Sequence, residues 1–171
     1  IYEYNAGNQG NIRKHHGGEI VSLSDYRVRH AQYKLDPALQ KAHARCPWFV
    51  TWDDHEVDNN CADEISEQKN VKPVNFLIRR AAAYQAYYEN MPLRRTSLPA
   101  GPYLQLYRRG AFGQLAEFMV LDGRQYRSDQ PNSDVRSPLN EAALNPETTM
   151  LGKDQRNWLK QSLIQSRGTW N

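Results

Sequence analysis

At 171 residues the chain is long enough to bury a core of its own and fits a single domain. Ten Tyr and four Trp exclude a disordered segment, and no window approaches the roughly 18 consecutive apolar residues that a membrane span needs. The net charge is only +3, yet fifteen of the 22 basic residues are Arg, a planar fork that suits phosphate oxygens and pairs equally well with carboxylates.

Residues 1–4 read as the end of a strand, and residues 5–19, rich in Asn, Gly, His and charge, as a loop. Ser24 or Asp25 then caps a helix in which Leu23, Tyr26, His30 and Tyr33 share one face. Asp36-Pro37 starts a second helix, with Asp at the N-cap and Pro at the first helical position. That helix is expected to carry Leu39, Ala42 and Cys46 inward and to stop at Pro47. Residues 48–52, WFVTW, are apolar and free of Gly, the signature of a strand covered on both faces. Residues 56–72 are polar and loop-like. Leu77, Ala81, Tyr84, Tyr88 and Met91 then mark the clearest helix of the chain, ended by Pro92.

Residues 103–109 and 115–121 read as two strands around Gly110-Ala111-Phe112-Gly113, a hairpin whose second strand runs into Asp122-Gly123-Arg124. Residues 128–149 form a Pro/Asn/Ser stretch of a length that is functional or disordered. With residues 5–19 it is a candidate for the mouth of a pocket. A last helix from about Lys153 is expected to bury Trp158, Leu159 and Leu163. The first residues lack Met and a turn signal, and residues 168–171 stop where another strand would start. Both ends therefore read as cut.

The order β-α-α-β-α-ββ-α predicts an α/β layered domain with a mixed sheet, in which ligands gather beyond the carboxyl ends of strands. Tyr2, Asp53-Asp54-His55 and Asp122 with Arg124 all fall at such ends. The segment TWDDHEVDNN, residues 51–60, gathers four carboxylates, one His and two Asn between Asp53 and Asn60. Hard cations take carboxylate and amide oxygens, and iron or zinc also accept imidazole. Strand alternation would turn Asp53 and Asp54 to opposite faces, so they need not share an ion. A histidine there can protonate a leaving oxygen or stabilise charge on a phosphoryl group. A polar loop whose Asp residues cap a following turn is, on composition alone, slightly the better account.

Other groups read as less specific. Asp122 with Arg124 is a common surface acid–base pair. The pairs Arg79-Arg80, Arg94-Arg95 and Arg108-Arg109 share no spacing, so solvated faces explain them better than a nucleic-acid surface. Cys46 and Cys61 match no zinc or redox spacing; a disulfide is open, and Cys46 is expected to be a small buried residue.

Taken in order, Ile1-Tyr2-Glu3-Tyr4, Leu23-Ser24-Asp25-Tyr26-Arg27, Trp52-Asp53-Asp54-His55-Glu56-Val57, Ala83-Tyr84-Gln85-Ala86-Tyr87-Tyr88, Leu121-Asp122-Gly123-Arg124-Gln125-Tyr126-Arg127 and Met150-Leu151-Gly152 resemble the PhoD-like alkaline phosphatases and phosphodiesterases. These are a branch of the metallophosphoesterases. The resemblance runs through essentially the whole chain. It implies the central portion, truncated at both ends, of one four-layer α-β-β-α metallophosphoesterase-like domain, an α/β fold with a mixed sheet. It further implies metal-dependent hydrolysis of phosphate mono- or diesters, with iron and calcium as cofactors.

By position, Tyr2 matches the tyrosine of a Gly-Asp-x-x-Tyr signature, a phenolate ligand for ferric iron. Asp54 replaces a metal-binding Asn, with Asp53 the other candidate, and His55 steadies the leaving oxygen. Arg124 is the candidate for a phosphate-facing group. The preceding Gly-Asp and the later His and Asp motifs fall outside these residues, so the chain on its own is expected to be inert. A phosphate-ester substrate, no stable nucleic-acid complex, no membrane span, and a secreted, periplasmic or cell-wall location by the twin-arginine route complete what the resemblance implies. The rivals are a non-catalytic phosphate- or nucleic-acid-binding module on the Arg pairs and a degenerate fragment.

Overall fold

The computed structural model describes residues 3–5 and 14–171. Its first helix, α1 (Leu23–Lys34), forms where expected, but its cap is Ser22. The Ser22 hydroxyl accepts from the Asp25 amide while the Asp25 carboxylate accepts from the Ser22 amide, a reciprocal capping box. Asp36 caps α2 (Pro37–Arg45) as its sequence predicts, accepting from the amides of Ala38 and Leu39. No residue of α2 is buried, however, and Cys46 is exposed. The helix rides on the surface, where His43 stacks on Trp48 with ring centroids 4.3 Å apart. The buried thiol is Cys61, and both cysteines are free.

The long helix α3 (Pro73–Asn90) packs against α1, and a two-pronged ion pair joins them: Arg27 Nε and Nη2 donate to Glu89 at 2.7 and 2.6 Å. Its buried stripe is Phe76, Arg79, Arg80, Ala83, Tyr84, Ala86 and Tyr87. The stripe is rotated from the face expected of Leu77, Ala81 and Tyr88, because two arginines occupy it instead of solvent. Arg79 donates to the Tyr26 hydroxyl and to Glu19 at 3.0 and 2.7 Å. Arg80 donates to the carbonyls of Pro102 and Asp63 at 2.8 and 2.5 Å, and it lies over the rings of Tyr84 and Tyr103. Carbonyls, carboxylates and aromatic faces thus replace the water these charges give up. A buried pair of this kind cannot serve a nucleic-acid face.

Tyr26, Phe76, Tyr84, Tyr87, Leu104 and Leu106 form the core with Trp52, each large side chain contributing about 1.5–3 kcal/mol by leaving water. Residues 48–52 belong to no ladder among the described residues. Val50 and Trp52 are buried while Phe49 and Thr51 are exposed, so one face is covered and not two. The expected hairpin is present, shifted in register. Its strands are β1 (Arg108–Phe112) and β2 (Ala116–Val120), antiparallel, with Gly113 at φ +56° in the turn. Gly110 lies inside β1, where a Cβ would stand 2.6 Å from Phe49 Cε1. Trp170 adds an isolated parallel bridge to Ala116. Among the described residues the sheet is this small antiparallel pair, within a mixed helix and strand fold.

Residues 128–149 carry a 3-10 turn (Pro131–Asp134) and the short α4 (Glu141–Leu144). The last helix, α5 (Gly152–Gln165), buries Gln155 and Ser162; Trp158 and Leu159 are half-buried and Leu163 is exposed. Among the described residues no helix is long and apolar enough to cross a membrane.

Candidate functional site

Trp52 delivers the acidic segment. Its indole stacks on Tyr84 with centroids 4.1 Å apart and donates to Asp122 Oδ1 at 2.9 Å. The chain then turns: the Asp54 carbonyl accepts from the amides of Val57 and Asp58, and Glu56 reaches back to accept from the Asp53 amide at 2.8 Å. This turn leaves the side chains of Asp53, Asp54 and His55 at one corner.

Arg124 arrives at the same corner from the end of β2. Asp122, fully buried, accepts from the amides of Arg124 and Gln125 through Oδ1, and Gln155 bonds both the amide and the carbonyl of Asp122. So fixed, Arg124 donates through Nε to Asp53 Oδ1 at 2.5 Å, and its Nη2 lies 3.5 Å from Asp54 Oδ1. Its Nη1 is buried without a hydrogen-bond partner among the described residues. The surface acid–base pair expected of Asp122 and Arg124 is instead a buried anchor and the arginine it aims.

Asp54 Oδ2 accepts from the Asn60 amide at 2.9 Å, made possible by the left-handed turn at Asn60, φ +47°. Burial presses the Asp54 carboxyl upward, but the Asn60 N–H and the Arg124 guanidinium outweigh it and hold the group below the ordinary carboxylate range. Asp53 is more open, its side chain 74% exposed.

His55 is gripped at both ring nitrogens. Nδ1 lies 2.8 Å from Glu3 Oε2 and Nε2 lies 2.9 Å from Asn59 Oδ1. The Asn59 Nδ2 donates to Glu67 Oε2 at 2.5 Å, so the oxygen end of that amide faces the imidazole. Both ring nitrogens thus face acceptors, an arrangement that favours the protonated ring. Burial presses the imidazole down, but the Asn59 bond and the charges of Asp54 and Glu3 raise it above an ordinary histidine.

Of the predicted site residues, Asp53, Asp54, His55 and Arg124 meet. Tyr2 lies outside the described residues. Among the described residues no group of three or more His, Cys, Asp or Glu is arranged to hold a metal. Asp58 faces inward, accepting from Ser66 Oγ at 2.5 Å and lying 3.4 Å from Arg79, and so works in the scaffold. The sequence gives no sign of Glu3 or Glu67 here, and it offers Asn59 as an oxygen donor to a cation and not as the partner of His55. The i, i+4 spacing of His55 and Asn59 is the one local signal that could have paired them; Glu3 is 52 positions away from the ring it holds.

The family model described as PhoD-like phosphatase matches residues 1–171. The chain is 54% identical to the Alkaline phosphatase D of Bacillus subtilis (strain 168), an alignment that takes in all of this chain and 30% of that protein. A solved structure described as "Structure of PhoD" superposes with a TM-score of 0.94 at 53% identity, covering all of this chain and 33% of that one. The chain spans about a third of the length of these relatives. With its motifs, its mixed helix and strand content and its fold all matched, the chain belongs to the PhoD-like phosphatase family.

Proposed function

We propose that the complete protein hydrolyses phosphate mono- or diesters with bound metal ions, and that the corner of Asp53, Asp54, His55 and Arg124 is part of its active site. The observation that carries this reading is the meeting of Arg124 with Asp53, 71 positions apart in sequence, beside an anionic Asp54 and a His55 whose two ring nitrogens both face acceptors. The reading takes residues 1–171 as the central portion of a four-layer α-β-β-α domain in a secreted, periplasmic or cell-wall protein.

The residues fit a metal as partial ligands. Asp54 is charged, and its Oδ1 makes only the longer contact to Arg124, leaving a lone pair for a hard cation. Asp53 is the weaker candidate, since Arg124 Nε engages it. Tyr2 would add a phenolate suited to ferric iron, and iron with calcium is the pair proposed. A bound cation supplies charge that polarises the phosphoryl oxygens and lowers the pKa of a water. The protein groups supply the rest. Arg124 sets a guanidinium against the phosphoryl charge. His55 holds its transferable proton on Nε2, the nitrogen turned toward Asn59, and hands it to the leaving oxygen. Glu3 stabilises the imidazolium from the other side.

Phosphate release from an aryl phosphate by the complete protein tests the reading. Hydrolysis lost on chelation and restored by metal, with less bound metal in Asp54→Asn, is the expected result. Hydrolysis indifferent to chelator, with unchanged metal content in that variant, would remove Asp54 and the metal from the account.

A further inference from the structure

The chain between Asn59 and Glu67 folds back on itself. Asn60 and Asp63 both take left-handed backbone, φ +47°, and Ala62 and Ile65 exchange amide-to-carbonyl bonds at 3.0 and 2.8 Å. The Asp63 amide donates to the Arg124 carbonyl at 2.9 Å, and its own carbonyl accepts from Arg80. Ser66, buried, donates to the buried Asp58 at 2.5 Å. Glu67 follows on this fixed backbone, and its carboxylate returns to the corner. Its Oε2 accepts from Asn59 Nδ2 at 2.5 Å, and its Oε1 accepts from Asn60 Nδ2 at the longer distance of 3.5 Å.

Asn59 thus stands between a carboxylate and an imidazole. A carboxylate can only accept, so the NH2 end of the amide faces Glu67 and the oxygen faces His55. That oxygen, 2.9 Å from Nε2, is the hydrogen-bond partner of this nitrogen; Asp54 Oδ2, at 3.7 Å, is beyond hydrogen-bond reach. A ring nitrogen that faces an acceptor is the one that carries hydrogen. Turned about, the amide would offer an N–H to Nε2. The ring would then meet it with a lone pair and keep its hydrogen on Nδ1, toward Glu3.

We propose that Glu67 is a positioning residue: acting through Asn59, it keeps a hydrogen on His55 Nε2 for the departing ester oxygen. The inference rests on the phosphoesterase reading of the corner. As water adds to phosphorus and the bond to the ester oxygen breaks, that oxygen keeps the electron pair and takes the hydrogen from Nε2. Glu67 itself gives up nothing; it fixes which end of the Asn59 amide the imidazole meets.

A weakly basic oxygen departs without a proton, while a more basic one depends on receiving it. The experiment therefore measures kcat/KM of the complete protein on 4-nitrophenyl phosphate and on phenyl phosphate. The parent is compared with Glu67→Ala, Glu67→Gln, Asn59→Ala, the double variant of Glu67→Ala with Asn59→Ala, and His55→Ala. Glu67→Ala should lose about tenfold on phenyl phosphate and less than about threefold on 4-nitrophenyl phosphate, a part of what a general acid supplies. Asn59→Ala should show the same preference, and adding Glu67→Ala to it should change nothing further, because the two act as one unit. Glu67→Gln, whose amide oxygen still accepts from Asn59, should recover most of the loss. The unfolding midpoint of Glu67→Ala should stay at the parent's, since this side chain is exposed. Equal losses on the two esters would make Glu67 a support of the fold and overturn the inference, as would rates equal to the parent's. A selective loss in His55→Ala with none in Glu67→Ala would overturn this inference alone. Parent rates in His55→Ala would overturn the reading of the corner and this inference with it.

Discussion

Trp52 and Asp122, 70 positions apart, are joined by one buried hydrogen bond from the indole N–H to Oδ1 at 2.9 Å. Trp52 is the residue before Asp53-Asp54-His55, and Asp122 is two before Arg124. The bond therefore sets the two halves of the corner against each other. The same oxygen accepts from the amides of Arg124 and Gln125, while Oδ2 accepts from the Gln125 side chain at 3.1 Å.

Removing that carboxylate takes the acceptor from the Trp52 indole and from the amides of Arg124 and Gln125, and one of two acceptors from the Gln125 side chain. Asp122→Ala is expected to lower stability by about 3 kcal/mol. Asp122→Asn, which can keep the Oδ1 acceptor and loses only the Gln125 side-chain bond, should cost about 1 kcal/mol. Thermal unfolding of the two variants beside the parent checks the order. Equal losses would show that the Oδ1 network carries no special weight.

Gly152 opens α5 at φ +70°, and a Cβ there would stand 3.0 Å from Tyr126 Cβ and 3.3 Å from the Tyr126 carbonyl oxygen. Gly152→Ala combines a left-handed backbone, about 1–2 kcal/mol for a residue with a Cβ, with a close approach to backbone that cannot rotate away. A stability loss of about 2 kcal/mol or more is expected by denaturant titration. A neutral substitution would mean that α5 shifts freely against Tyr126.

His30 is buried beside the Tyr87 ring, and burial, with the nearby Lys34 charge, pushes its pKa down to about 3 despite Glu89. Its folded pKa thus lies below the unfolded value of 6.5. Above pH 6.5 the ring is neutral in both states, and its contribution to stability is complete. As pH falls from 6.5 toward 3, the unfolded chain takes up a proton that the folded chain refuses, and stability is lost at up to about 1.4 kcal/mol per pH unit. His30→Gln should flatten that part of the stability–pH curve. A curve of the same slope in the variant would assign the acid sensitivity to other groups.

Much of the helical frame was legible because its signals are local. Asp36-Pro37 marks the start of α2, and the periodicity around Tyr84 marks α3. What escaped depends on partners far along the chain. Gly110 reads as a turn residue, yet it serves β1 by making room for Phe49. Arg79 and Arg80 read as solvated, yet Tyr26, Glu19, Pro102 and Asp63 supply what water would have given them. Asp122 reads as half of a surface pair until the Trp52 indole is known to reach it. At the corner the same division holds: the acidic run and His55 stand out by composition, while Glu3 and Glu67 become visible only when the fold brings them to the imidazole and to Asn59.

The central claim, that this corner takes part in phosphate-ester hydrolysis, is tested most directly by the turnover of His55→Ala in the complete protein. With His55 as the group that protonates the leaving oxygen, kcat on an aryl phosphate should fall by about 10²–10⁴-fold while the unfolding midpoint stays near the parent's. Unchanged turnover in a folded variant would contradict the account and return TWDDHEVDNN to a polar turn.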